Sequence, residues 1–470
     1  APAQALYVSF VPPEAGGAPL SAAMEPLVEA LAPPADVLDE AQRAPTPAAA
    51  LDLLGAAYRE DTPQTAALEA ALRRQDTMAE SLAAMERAAR PAHFFARETR
   101  PLGALLGDRL TLSPTRVEQY YRCRFSYFLQ YVLRIRPRRR AELSPLESGS
   151  LVHYILEHVM RRAGAEFPRL APEELARLAG EVADQYVAEN MPAAGRRFAY
   201  LVERLKRGVT RLLAYLQAEQ AQSLFHPAAF EQEIGTGEGA VPPLTLRTPD
   251  GRTVQVQGKI DRVDVMEREG RTYLRVVDYK TGNKAFNLDE VYCGLNTQML
   301  LYLFTLRSNA AQVYKNPVAA GVLYLAGDPV LKTGSRAEAA AAPVYKVDGL
   351  VLNDELVVRG MDRDATGMFV PFAFGKDGAP RASAKLASLE KLGNIEKHLD
   401  ALVVEMARGL YAGEIDAVPL RTAAHCPCDV CDYRPVCLHE DGRGETSVQA
   451  PKDVFETRAD ACKAQGEGNI

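Results

Sequence analysis

Apolar residues change their spacing along the chain, and each change predicts a change of element. Between residues 114 and 220 they recur at intervals of three and four, as on the buried face of a helix. Ser113-Pro114 supplies an N-cap and a first-turn proline for the first such stretch, predicted over 114–133. Its stripe is Val117, Tyr121, Phe125 and Phe128, with Cys123 one step off it. A second helix from about 146 runs through Leu151, Ile155 and Val159, with His153 on a neighbouring face and Glu157 one turn on. Two long Ala/Leu/Arg helices follow over about 172–189 and 198–220.

From about residue 230 the apolar period drops to two, which marks strands, predicted over 230–234, 244–247, 253–266 and 272–279. In the third, apolar positions fall at Val254, Val256 and Ile260 and then at Val263 and Val265. The phase therefore changes at Asp261-Arg262, and a bulge or sharp bend is expected there. A turn at Glu267-Arg268-Glu269-Gly270 folds the fourth strand back antiparallel and sets Asp278 nearly opposite Asp261. Because side chains alternate along a strand, Lys280 joins Asp278 on one face. A helix over about 288–306 puts Gln298 and Tyr302 one turn apart. Residues 318–325 read as a buried strand, 328–376 as an insertion of strands and loops, and 383–409 as an amphipathic helix.

A chain of 470 residues exceeds one typical core, so two domains are expected. Residues 1–100, with a short strand over Leu6 to Phe10, Pro/Ala-rich turns and Ala/Leu/Glu helices, carry no phosphate-binding Gly-Lys-Ser/Thr loop and read as the end of another region. The boundary falls at 101–112, a main domain extends to 440, and 441–470 form a loosely ordered tail. No apolar run approaches the roughly 20 residues that span a bilayer, so a soluble, cytoplasmic protein is expected. The opening Ala-Pro-Ala-Gln-Ala lacks a methionine and a signal-peptide pattern, which reads as a fragment of a longer chain.

The net charge of −6 argues against a surface that attracts nucleic acid in bulk, so any contact with DNA must be local. Arg134, Arg136, Arg138, Arg139 and Arg140 form the one dense basic run, equally readable as a solvated loop. Two buried carboxylates as close as Asp261 and Asp278 repel, and a bound divalent cation is the natural compensation. These acids suit a hard cation, and Lys280 can aim a water beside it, which makes a phosphodiester-cleaving nuclease the leading expectation. Asp264 faces away from Asp261 by parity and pairs with Arg262, whereas Glu231 and Glu233 compete as accessory acids. Seven cysteines are too few for a disulfide scaffold, but four of them, Cys426, Cys428, Cys431 and Cys437, lie within twelve residues. Thiolates so spaced call for zinc, with Cys426 or His425 as fourth ligand, or for an iron–sulfur cluster that recruits a distant cysteine.

Gly258-x-Ile-Asp261-Arg-x-Asp264, Asp278-Tyr-Lys280 and Gln298-x-x-x-Tyr302, with His153 in Gly149-Ser-Leu-Val-His153 upstream, resemble the RecB-type branch of the PD-(D/E)XK nucleases. The order and spacing of all four carry the resemblance, since each alone is common. It implies a restriction-endonuclease-like α/β fold, a mixed sheet flanked by helices. It also implies Mg²⁺ or Mn²⁺ held by His153, Asp261, Asp278 and the Tyr279 carbonyl. Lys280 would act on the attacking water, and Gln298 and Tyr302 would support the site. Cys123 ahead of the core with Cys428-x₂-Cys431-x₅-Cys437 behind it is similar to the AddB subunits of bacterial AddAB helicase–nucleases, over roughly residues 102–440. That resemblance implies a structural [4Fe–4S] cluster on these four cysteines and an N-terminal helical remnant of a helicase-like domain. It further implies an AddA-type partner with the ATP motor, and exonuclease digestion of the 5′-terminated DNA strand in double-strand-break repair and recombination. Cys293 and Cys462 remain as ordinary thiols, and Cys426 departs from the family pattern. A self-standing iron–sulfur exonuclease and a non-catalytic DNA-binding module of the same fold are the rival expectations.

Overall fold

The computed structural model describes residues 46–58, 62–89, 102–136, 145–190, 196–280, 285–330, 344–383, 385–423, 426–437, 439, 444–451 and 455–456. The strand expected over Leu6 to Phe10, Arg138, Arg139, Arg140, His425 and Cys462 lie outside them. The chain divides into two units, Ala1–Ala92 and His93–Ile470. In the first, α1 (Pro47–Ala56), α2 (Pro63–Arg73) and α3 (Ala79–Ala89) pack around Leu54, Leu72 and Leu82. Thr46 and Thr62 cap the first two, each followed by a proline in the first turn.

The second unit is built on a six-stranded mixed sheet in the order β2-β5-β6-β7-β8-β9, formed by His226–Ile234, Gly258–Arg268, Arg271–Lys280, Pro317–Val330, Val344–Leu352 and Leu386–Ala387. The β2-β5-β6 pairings are antiparallel, β6 and β7 run parallel, and β2 is an edge. Eight consecutive residues of β6, Thr272 to Tyr279, are buried, which requires cover on both faces of the sheet. The cover includes α5 (Pro145–Ala163), α7 (Arg196–Gln222) and α9 (Gln298–Asn309), with α6 (Pro172–Asn190) packed on the first two. Three shorter strands, β1 (Arg109–Leu112), β3 (Leu244–Arg247) and β4 (Thr253–Val256), form a second sheet in the order β1-β4-β3.

Several expectations are corrected. The strand expected over 253–266 is two strands in different sheets, separated at Gln257, and the change of phase at Asp261-Arg262 is no bulge. It arises because Arg262 and Asp264 take buried positions among apolar neighbours as charged groups. The irregularity sits in β2, whose register shifts between Pro227 and Ala229 and where Glu231 has φ 49°. The helix expected over 114–133 breaks at Cys123, which is extended (φ −167°) between α4 (Pro114–Arg122) and a further turn over Arg124–Tyr127. The helix expected over 288–306 is also two, Leu288–Tyr292 and α9, parted by Gly294 and Asn296 at positive φ. The 328–376 region contains β8 and a helix, α10 (Glu355–Met361), capped by Asp354, and α11 spans Leu389–Ala412. Among the described residues, no helix is long and apolar enough to cross a membrane.

Candidate active site

The β5–β6 hairpin pairs Arg262 with Val277, so continuing the register by one residue sets Asp261 against Asp278, as expected. The pit lies where that pairing stops. Instead of a ladder bond, the Tyr279 N–H donates to Asp261 Oδ2 at 3.2 Å. Lys280, two residues along the same face, places Nζ 2.7 Å from Asp278 Oδ2. From α5, His153 reaches over with Nε2 donating to the Tyr279 carbonyl (2.9 Å) and Nδ1 3.4 Å from Asp261 Oδ2. From the edge strand, Glu231 completes a group with His153 and Asp261 whose ligand atoms all lie within 4.8 Å of one another. The structure thus selects Glu231 over Glu233, and the positive φ of Glu231 is what turns its carboxylate into the group.

Side-chain exposure runs from 4% at Asp278 through 17% at Asp261 to 27% at His153 and Lys280, which describes a pit open on one side. Each acid has its own cation: Lys280 on Asp278, Lys259 on Glu231 (2.5 Å) and His153 beside Asp261. Burial alone would lower the His153 pKa, but its contacts with Asp261 and the Tyr279 carbonyl outweigh that and raise it to about 9. Three carboxylates and an imidazole held so close suit a hard divalent ion of the Mg²⁺ or Mn²⁺ kind. An ion there would take over the counter-charge that Lys280, Lys259 and the His153 proton provide.

On the opposite face of the hairpin, Arg262, Arg275, Asp264 and Glu219 form a fully buried ion network. Asp264 therefore points away from the pit, and burial, which would raise its pKa, is outweighed by the two guanidiniums, which hold it low. Arg262 Nη1 also donates to the Tyr279 hydroxyl at 2.9 Å, so the network fixes the residue whose backbone lines the pit. Tyr302 is buried, its pKa pushed up to about 12 by that burial, with its hydroxyl within hydrogen-bonding reach of Gln298 and the Lys259 backbone. It packs over Gly258, where an added Cβ would overlap the phenol ring. Gln298 and Tyr302 thus brace the start of β5. Glu118 of α4 accepts from the backbone N–H groups of Thr297 and Gln298 and so caps α9.

Away from the pit, Cys123, Cys428, Cys431 and Cys437 all line one cavity of about 270 Å³, beside the buried Phe125 and Tyr433. The break at Cys123 is what turns that thiol into it. Burial raises the Cys123 thiol to about 11, with Cys437 and Cys431 adding to the rise, and burial also raises Cys428. Four inward thiols that resist ionisation alone fit a positively charged group able to hold them as thiolates. Cys426 does not line this cavity. Cys293 is half-buried against the Gln449 carbonyl. Of the basic run, Arg134 and Arg136 are exposed.

The sequence reading did not reach Glu219, Arg275, Lys259 or Glu118. Arg275 alone left a mark, an arginine inside the apolar run Leu274 to Val277 that must find a buried acid.

Comparison with known proteins agrees with this geometry. The profile of the PD-(D/E)XK nuclease superfamily matches residues 111–438. The AddB subunit of the ATP-dependent helicase/deoxyribonuclease of Clostridium acetobutylicum is 31% identical over 368 residues, 74% of this chain and 32% of that protein. The proteins of the same name from Acetivibrio thermocellus and Desulforudis audaxviator are 30% and 34% identical, over 78% and 72% of this chain. The chain spans about a third of the length of these relatives.

Proposed function

Because this chain belongs to the PD-(D/E)XK nuclease superfamily, we propose that it hydrolyses DNA phosphodiesters with Mg²⁺ or Mn²⁺, as the nuclease domain of an AddAB-type helicase–nuclease. The observation that carries the reading is the convergence of Asp261, Asp278, His153 and the Tyr279 backbone at the end of one β-hairpin. His153, Asp261, Asp278 and the Tyr279 carbonyl would hold the ion, with Glu231 as accessory acid. A divalent cation there supplies positive charge against the oxyanion that develops on phosphorus. Lys280, released from Asp278, orients the attacking water and adds its own charge to that oxyanion. Gln298 and Tyr302 hold the start of β5, and with it Lys259 and Asp261, in place. The substrate is a single strand, with the 5′-terminated strand of a processed break as the expected target. An AddA-type partner would supply the ATP-driven motor, in keeping with the lack of a phosphate-binding Gly-Lys-Ser/Thr motif in this sequence. Cys123, Cys428, Cys431 and Cys437 would hold a structural [4Fe–4S] cluster, a reading supported by their shared cavity. It would tie together segments far apart in sequence.

Asp278→Ala tests the assignment. Removing a carboxylate that faces the ion should lower Mg²⁺-dependent digestion of single-stranded DNA by at least roughly 100-fold. The circular dichroism spectrum and iron content should not change. Cleavage at the unsubstituted rate would overturn the assignment.

A further inference from the structure

Cys426 is fully buried, lies outside the cluster cavity and has no part in the nuclease pit. Its neighbours give it one. The sulfurs of Cys426 and Cys428 and a ring nitrogen of His439 lie within 4.8 Å of one another, and all three residues are buried. Glu445 is a fourth donor, with Oε1 3.2 Å from His439 Nε2 and 3.8 Å from Cys426 Sγ. Its other oxygen accepts from Arg421 Nε at 2.7 Å.

The local chain prepares this arrangement. The turn over Pro427–Val430 presents two thiols two residues apart, and the Cys426 N–H is fixed on Asp429 Oδ2 at 3.1 Å. A two-stranded parallel pairing of Leu420–Arg421 with Thr446–Ser447 brings Glu445 beside Arg421. Two sulfurs, one nitrogen and one oxygen make a donor set suited to tetrahedral zinc, whose ligand atoms sit about 3.3–3.8 Å apart at ordinary bond lengths. Small side-chain rotations close the present spacing to that. Charge also closes: two thiolates and a carboxylate around a divalent ion leave −1, which the Arg421 guanidinium offsets.

We propose that Cys426, Cys428, His439 and Glu445 form a second, mononuclear site for a thiophilic divalent cation such as zinc. It shares Cys428 with the cluster cavity, so the two are filled in alternation. Binding releases the two thiol protons to solvent. Nothing in this inference depends on the nuclease reading, and it stands on different residues from the cluster apart from Cys428.

The test uses the full 470-residue chain, stripped of metal by chelation under reductant and titrated with Co²⁺ and Zn²⁺. One equivalent of Co²⁺ should give the strong visible bands of a tetrahedral site with thiolate charge transfer. X-ray absorption of the zinc-loaded protein should show two sulfurs and two lighter ligands. Cys426→Ser and His439→Gln should each weaken zinc binding by at least roughly 100-fold. Cys123→Ser and Cys431→Ser should leave the cobalt spectrum unchanged. Prior loading with zinc should block iron and sulfide uptake in the unsubstituted chain. A four-sulfur shell, loss of the spectrum in Cys123→Ser, no binding at micromolar metal, or zinc and cluster bound together would each overturn the proposal. Because the absorption shell is read on the unsubstituted chain, a variant that fails to fold does not decide the matter. Failure of the chain to take up iron at all would count against the cluster and leave this site standing.

Discussion

Arg275→Met probes the charge network beneath the pit. Arg275 donates to Asp264 through Nε (3.0 Å) and Nη2 (2.5 Å), and to Glu219 through Nη2 (2.6 Å). Three charge-assisted bonds at about 1.5–3 kcal/mol each set a ceiling of about 5–9 kcal/mol. The realised loss is smaller, because Arg262 stays in contact with both acids and Asp264 can take up a proton once a guanidinium is gone. Leaving one buried carboxylate uncompensated should cost about 3–5 kcal/mol. Removing the matching charge as well, in Arg275→Met with Glu219→Gln, restores neutrality and should recover about 1.5–3 kcal/mol of that loss. Urea unfolding followed by circular dichroism on the two single variants and the double gives the coupling directly. A loss below about 1 kcal/mol for Arg275→Met, or additivity of the two changes within about 0.5 kcal/mol, would show that the four groups do not act as one balanced network.

Two further outcomes follow from the pit. Gly258→Ala forces a Cβ into Tyr302, which cannot yield without losing its hold on β5, so it should cost about 1–3 kcal/mol and slow cleavage. Unchanged stability in urea would contradict the packing described. In metal-free protein, His153 is raised from its ordinary 6.5 to about 9, so its contribution is fully present below about pH 6.5, where both folded and unfolded chains carry the proton. The contribution is lost as pH rises to 9, and chelated protein should become less stable over that interval. His153→Gln should flatten the profile, and an equal slope in that variant would assign the effect elsewhere.

Much of this was legible in the chain because the signals are local. Two-residue alternation, a Glu-Arg-Glu-Gly turn and the Asp278-Tyr-Lys280 triplet are enough to place Asp261, Asp278 and Lys280 together, and the hairpin register bears that placement out. What failed was pattern reading where charge replaces hydrophobicity. Arg262 and Asp264 occupy core positions, so their polarity looked like a change of phase and predicted a bulge that is absent. The breaks at Cys123 and at Gly294 to Asn296 were missed because the apolar period runs across both, and tertiary contacts, not local propensity, end those helices. The choice between Glu231 and Glu233 turned on a positive backbone angle that no spacing encodes.

The helix bearing Gln298 and Tyr302 is apolar on every side, with each residue from Met299 to Leu306 buried. Twelve such residues have no stable helical state in water alone, so α9 exists only once β6, β7, α4 and α11 surround it. Nuclease competence should therefore arrive late in folding and as a unit. A nick that frees α11, more than eighty residues downstream, would silence the pit as surely as the loss of an aspartate.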